Sequence, residues 1–169
     1  MENFELVPAV WEELNDYMEI LNQGRRFQRW QGFVQWPDGY PDRATVETDL
    51  SSGKGYAFRV AGQLAGYLYI GFDGDPAYSQ IQGNWHGEGS YAVIHRIAIA
   101  PDFRGRGLAD AVFRLVATFV KQKGVNHLRI DTDAQNFRMR HVLEKNGFSY
   151  CGTVIQGGGE RLAFDKELK

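Results

Sequence analysis

Residues 97–109 read Ile97-Ala98-Ile99-Ala100-Pro101-Asp102-Phe103-Arg104-Gly105-Arg106-Gly107-Leu108-Ala109, and this run decides the fold. An apolar strand stops at a proline, and a basic turn with two glycines follows. Leu108 then opens a stretch with apolar residues at 108, 111, 112, 115, 116, 119 and 120, the face pattern of an amphipathic helix. The first N–H groups of a helix have no partner within it, and the helix dipole places partial positive charge there. Gly105 and Gly107 let the main chain approach a bulky anion, and Arg104 and Arg106 add charge. The stretch reads as a phosphate or pyrophosphate cradle.

Three phosphate motifs compete for it. The dinucleotide fingerprint G-x-G-x-x-G/A fails at its last position, where Asp110 stands. A P-loop would end in G-K-[ST], which is absent. R-x-x-G-x-A is filled by Arg104, Gly107 and Ala109, and a bare glycine turn between strand and helix is the plainer alternative. Upstream, residues 91–100 (YAVIHRIAIA) form the strongest strand pattern. Alternation along it predicts Val93, His95, Ile97 and Ile99 on one face and Ile94, Arg96, Ala98 and Ala100 on the other.

Working outward, Gly124 stands where the helix should end, with a strand over 127–132 and a helix from Asn136 to about Asn146 stopped by Gly147. A strand over 148–154, a glycine turn and a last strand over 160–166 follow. Before the key strand, the pattern predicts a strand over 2–8, a helix from Trp11 ending before Gly24, and a helix from Asp42 to about Leu50. Residues 55–60 and 63–71 read as a hairpin across Ala61-Gly62. Two irregular, aromatic stretches, 24–41 and 71–89, separate these elements.

The 169 residues fit one domain spanning 1–169. Apolar residues at 43% and charged residues at 24% exclude disorder, and a net charge of −2 argues against nucleic acid as a partner. Cys151 is the single cysteine, so no intrachain disulfide can form; it reads as a small buried hydrophobe. An acidic N-terminus and the lack of a long apolar run point to a cytoplasmic chain with no membrane partner. His86, His95, His127 and His141 show no ligand spacing, so no metal is expected. Asp73-Gly74-Asp75 reads as a solvated turn, and Asp133 as a cap for the helix that follows.

The R-x-x-G-x-A run resembles the pyrophosphate loop of the GNAT superfamily of acyl-CoA-dependent N-acetyltransferases. That family's next helix often reads N-x-x-A-x-x-x-Y-E-K-x-G-F, and Asn136-Phe137-Arg138-Met139-Arg140-His141-Val142-Leu143-Glu144-Lys145-Asn146-Gly147-Phe148 follows the frame without a gap. The likeness is close over residues 91–154 and looser before. The phrases VIHRIAI, RIDTD and EKNGFSYCG look like bacterial members whose acceptors are mostly unassigned. It implies an α/β fold: a mixed, mostly antiparallel central sheet with two splayed parallel strands and flanking helices. It also implies acetyl-CoA as co-substrate, with the pantetheine arm against the main chain of Ile97, Ala98 and Ile99. The pyrophosphate would take N–H groups of Arg104, Gly105, Arg106, Gly107, Leu108 and Ala109, and Asn136 would bond the pantetheine.

The implied chemistry is direct attack of an amine, from a small molecule or a peptide, on the acetyl thioester. The ammonium must first lose a proton, and the oxyanion needs a donor such as the N–H of Ile97 or Ala98. Histone-type relatives carry a catalytic Glu where Val93 stands; arylalkylamine-type relatives carry a His at the place of His95. Imidazole titrates near neutrality, so His95 is the candidate base, and a structural histidine is the alternative. The Tyr that many relatives use as acid is Leu143 here. Glu88 could hold a cationic amine or relay its proton. Trp36, Tyr78 and Trp85, with Trp30, Phe33 and Tyr40, read as walls of an acceptor pocket or as caps on the core. A non-catalytic acyl-CoA-binding and sensing module is the rival reading, and the resemblance admits a homodimer.

Overall fold

The computed structural model describes residues 3–169; the expected start of the first strand at Glu2 lies outside them. In chain order the elements are β1 (Phe4–Pro8), α1 (Leu14–Trp30), α2 (Arg43–Ser51), β2 (Gly55–Val60), β3 (Gln63–Gly71), β4 (Gln82–Gly83), β5 (Ala92–Ile99), α3 (Leu108–Gln122), β6 (His127–Thr132), α4 (Phe137–Lys145), β7 (Ser149–Gln156) and β8 (Gly159–Glu167). Single 3-10 turns occupy Trp11–Glu13, Pro76–Gln80 and Pro101–Phe103. The fold is mixed α/β with eight strands, mostly antiparallel. The parallel pair is β5 with β6, and its ladder joins Ala92 to Leu128 and Val93 to Arg129. Among the described residues no helix is long and apolar enough to cross a membrane.

The chain divides into two compact units, residues up to 70 with 95–115, and residues 71–94 with 116–169. In the first, the strand order is β1-β2-β3-β5. The β2–β3 hairpin turns at Ala61 (φ +50°) and Gly62 (φ +80°), two left-handed residues whose twist matches that of the flanking strands. Asp42 Oδ1 accepts the Thr45 N–H at 2.8 Å and starts α2. Leu14, Tyr17, Leu21, Val46, Ala57 and Tyr67 form the core.

The helix predicted to stop before Gly24 instead runs on to Trp30. A Cβ on Gly24 would lie 3.2 Å from Ala98 Cβ and 3.3 Å from the Trp36 ring. This glycine therefore serves close packing inside α1, not termination. The helix propensity lost at this one residue, about 1 kcal/mol relative to alanine, is offset by letting α1 lie against β5.

In the second unit the order is β5-β6-β8-β7-β4. The β7–β8 hairpin turns through Gly157 and Gly158, both left-handed (φ +57° and +80°). Between Tyr150 and Gly152 the register of β7 against β8 slips, so Cys151 is the extra residue of a bulge. Beside it, Gly83 of β4 faces Gly152 of β7, and a Cβ on either would run into the other strand's main chain. In α4 the cap is Asn136, whose Oδ1 accepts the Met139 N–H at 3.2 Å. Asp133, expected in that role, closes the preceding turn by accepting the Gln135 N–H at 2.8 Å.

Candidate active site

The cradle predicted from residues 104–109 is built as a strand-to-helix turn. The Pro101–Phe103 turn closes with Arg104 N–H on Pro101 O at 3.2 Å. Gly105 and Gly107 then take φ +74° and +71°, a conformation that costs other residues a kcal/mol or so. No heavy atom stands within 4 Å of where a Cβ would project from either, so the loop faces open space. Leu108 is buried and anchors the first turn of α3.

The two arginines divide their work. Arg106 is exposed, its guanidinium 5.3 Å from the Phe103 ring centroid, so its charge stands at the loop surface. Arg104 lies 4.0 Å over the Phe27 ring of α1 and donates from Nε to Ile99 O at 3.2 Å. It ties the loop to α1 and to the end of β5 as well as adding charge.

Within β5, Arg96 has φ +50°. A left-handed residue rotates the strand about its axis, and the strict alternation expected over 91–100 breaks there. His95 and Arg96 consequently share one neighbour. The His95 ring lies 5.5 Å from the Tyr69 ring at 32°, and the Arg96 guanidinium lies 4.7 Å over it. The strained backbone is held from the side chain. Arg96 Nε donates to Asp49 Oδ2 at 2.9 Å and Nη2 to Oδ1 at 2.6 Å, a bidentate pair. Tyr67 Oη donates to Asp49 Oδ2 at 2.8 Å, and Arg96 Nη1 donates to Tyr40 Oη at 3.2 Å. Asp49 is 3% exposed. Burial alone would lower the Arg96 pKa, but hydrogen bonding to Asp49 and its charge outweigh that and raise it. Burial, followed by the Asp49 charge, raises Tyr67 as well.

The second unit has a carboxylate centre of another kind. Asp165 accepts the main-chain N–H groups of His86 (2.6 Å) and Gly87 (3.2 Å). His86 Nδ1 lies 2.8 Å from Oδ1, and His127 Nε2 lies 3.0 Å from Oδ2. Cys151 Sγ lies 3.3 Å from His86 Nδ1. Burial pushes the Asp165 pKa up, but hydrogen bonds from His86, His127 and Cys151 overcome it and bring it down to about 2. Burial, then the neighbouring Asp165, pushes the Cys151 thiol up to about 12.

Nearby, Arg129 is sandwiched between the Trp85 ring (4.3 Å) and the Tyr91 ring (3.9 Å), and burial lowers its pKa. A cavity of about 360 Å³ in this unit is walled by Glu88, His127 and Glu167 among others.

The family model for the Acetyltransferase (GNAT) family matches residues 9–148 of this chain. The chain belongs to the GNAT acetyltransferase family. It is an acyltransferase. A GNAT-family acetyltransferase from Streptococcus agalactiae has a crystal structure that superposes with a TM-score of 0.90 at 31% identity, covering 98% of this chain and 96% of that one. Streptothricin acetyltransferase of Streptomyces lavendulae is 28% identical over 88 residues, 51% of this chain and 45% of that relative, so this match spans less than half of the relative's length. An aminoglycoside acetyltransferase solved with coenzyme A has a TM-score of 0.72 at 20% identity over 98% of this chain and 95% of its own. That last likeness is one of fold.

The residues singled out from the sequence stand as follows. Residues 97–99 and 104–109 fall in the first unit with His95 and Trp36; Glu88, Tyr78, Trp85 and Asn136 fall in the second. Trp36 (7% exposed) and Tyr78 (0%) are core side chains. Tyr78 Oη donates to Asp131 Oδ2 at 2.8 Å, and burial raises its pKa well above the usual phenol value. Trp85 is half-buried and donates from Nε1 to Tyr78 O at 3.0 Å. Leu143 is fully buried.

Two sets were missed: Asp49 with Arg96, and Asp165 with His86, His127 and Cys151. Their members stand 47, 79, 38 and 65 positions apart, so no local spacing reports them. The one available signal was Arg96, a charged residue inside the largely apolar run 92–99; β8 also carries Glu160, Arg161, Lys166 and Glu167, so Asp165 did not stand out there.

Proposed function

We propose that this chain transfers an acetyl group from acetyl-CoA to a primary amine by direct attack in a ternary complex, residues 1–169 acting as a single domain. The observation that carries this reading is the open, left-handed glycine pair between β5 and α3. Its N–H groups and Arg106 suit a pyrophosphate, and the main chain of Ile97, Ala98 and Ile99 suits the amides of a pantetheine arm. Asn136, whose side-chain oxygen caps α4, would meet that arm through its amide nitrogen. Acetyl-CoA, when bound, supplies the activated acetyl thioester. His95 takes the proton from the acceptor ammonium, and the N–H of Ile97 or Ala98, just past the left-handed Arg96, holds the developing negative charge. Glu88 and Trp85 receive a cationic amine. The Cys151 thiol, pushed up to about 12, is a poor nucleophile, which supports direct attack over an acyl-cysteine route. The streptothricin-acetylating relative favours a small-molecule acceptor over a peptide.

Calorimetric titration with acetyl-CoA, with NADH and ATP as controls, tests the cradle. Micromolar, acetyl-CoA-selective binding is expected, weakened at least about 10-fold in Gly107→Val, which puts a branched side chain at a left-handed position. Absence of binding overturns the reading. His95→Ala should lose roughly 10²-fold in turnover with acetyl-CoA affinity unchanged. Surviving activity would remove His95 from the mechanism while leaving the cradle in place.

A further inference from the structure

The Asp165 centre brings together three different donor atoms that no part of the acetyl-transfer reading uses. His86 Nδ1, Cys151 Sγ and an Asp165 oxygen all lie within 4.8 Å of one another. They come from three segments: the loop after β4, the bulge of β7, and β8. Each is aimed by its own backbone device. The bulge between Tyr150 and Gly152 re-aims Cys151, because an extra residue in a strand changes the face its side chain meets. The Gly83–Gly152 contact and the Asn84 N–H on Cys151 O at 3.0 Å fix the chain two residues before His86. The His86 and Gly87 N–H groups and His127 Nε2 orient the carboxylate. These contacts fix the main chain that carries the three donor atoms and orient the carboxylate.

We propose that His86 Nδ1, Cys151 Sγ and Asp165 Oδ1 form a binding site for a divalent transition metal of the zinc class. A thiolate, an imidazole and a carboxylate are the ligand types that zinc takes in four-coordinate sites. Ligand bonds of about 2.0–2.3 Å in a tetrahedron place ligand atoms about 3.3–3.6 Å apart. His86 Nδ1 and Cys151 Sγ already stand at 3.3 Å, and Nδ1 to Oδ1 at 2.8 Å must open by about half an ångström. His86 can make that move, because its side chain is 54% exposed while that of Asp165 is 2% exposed. The same exposure leaves the fourth position open to water.

Binding breaks the Cys151 S–H bond, forms the sulfur–metal bond and releases the proton to solvent. His127, bonded to the other carboxylate oxygen, is a positioning residue for the ligating Asp165. Its Nδ1 is buried and has no hydrogen-bond partner among the described residues.

The test is a titration of the reduced, chelator-stripped full chain with Co²⁺, followed in the near ultraviolet and visible. The expected result is a thiolate-to-cobalt charge-transfer band that saturates at an equimolar ratio, is displaced by Zn²⁺, and is accompanied by proton release. Cys151→Ser should abolish the band. His86→Ala should weaken Zn²⁺ binding more than His127→Ala, which should cost about 10–100-fold. Far-ultraviolet circular dichroism checks that each variant folds, and the exposed position of His86 makes its variant the safest. No band in the wild type, a band that survives Cys151→Ser, or a folded His86→Ala with undiminished Zn²⁺ affinity each overturns the site and leaves Cys151, His86 and Asp165 as a hydrogen-bonded cluster. None of these readouts depends on acetyl-CoA.

Discussion

Two aspartates, one in each unit, are almost completely buried, and they are satisfied in opposite ways. Asp49 meets a permanent cation, the Arg96 guanidinium, through two hydrogen bonds with a tyrosine hydroxyl on one of the same oxygens. Asp165 meets two imidazoles and two main-chain N–H groups, with a thiol close by. A guanidinium does not titrate, and its planar fork fits a carboxylate in one way, so the first arrangement fixes geometry. Imidazoles and thiols exchange protons and take metals, so the second arrangement can trade one partner for another. The fixed pair holds a left-handed residue beside the proposed base. The exchangeable set surrounds the proposed metal site.

The largest effect should come from breaking the fixed pair. Asp49→Ala leaves the Arg96 charge buried without its counter-ion, and removal of one partner of such a pair costs about 3–5 kcal/mol. Urea denaturation read by fluorescence would measure it. Since small domains are stable by only about 5–15 kcal/mol, the variant should be close to unfolding at moderate temperature. A loss below about 1 kcal/mol, typical of exposed pairs, would mean that water reaches Asp49 and that the contrast with Asp165 is unreal.

Asp165→Asn should cost less, about 1–3 kcal/mol, because the amide oxygen can still accept from one N–H while the remaining donors lose a charged partner. The same denaturation experiment compares the two variants directly. Equal losses would show that the second centre is as rigid a support as the first. A smaller loss from Asp165→Asn sharpens the distinction.

Those two centres also mark where the sequence stopped being informative. The hairpin at Ala61-Gly62, the Asp42 cap, the strand at 127–132 and the turn at 104–107 rest on neighbours in the chain, and local pattern located all of them. The family followed from two such local frames, the R-x-x-G-x-A turn and the run from Asn136 to Phe148. Gly24 misled because a glycine inside a helix looks like a stop unless its packing partners, Ala98 and Trp36, are known. The aromatics of the long loops misled in the same manner: Trp36 and Tyr78 could equally wall a pocket or fill a core, and only burial separates the two. The alternation in β5 failed at Arg96, since a positive φ in mid-strand leaves no periodic signal and the side chain's partner, Asp49, lies 47 positions away. The Asp165 cluster was invisible for the same reason, its ligands being assembled by strand pairing and by a bulge.

The smallest effect concerns that left-handed residue itself. In the interior of an ordinary strand, glycine is weaker than alanine by about 0.5–1 kcal/mol, because it gives up more backbone freedom on folding. At φ +50° the order should reverse. Alanine carries a Cβ that meets the following carbonyl in this conformation, at about 1–2 kcal/mol, whereas glycine does not. Arg96→Gly and Arg96→Ala both remove the guanidinium and leave Asp49 in the same environment, so the loss of the ion pair cancels between them. Arg96→Gly should therefore be the more stable of the two by about 1 kcal/mol, measured as a difference in urea midpoint at equal slope. If alanine proves the more stable, β5 relaxes to an ordinary strand once the guanidinium is gone, and the Asp49 pair is what imposes the left-handed turn. Turnover separates the cases further. A backbone that stays turned in Arg96→Gly keeps the N–H of Ile97 where it was, so that variant should retain more activity than Arg96→Ala at the same acetyl-CoA saturation.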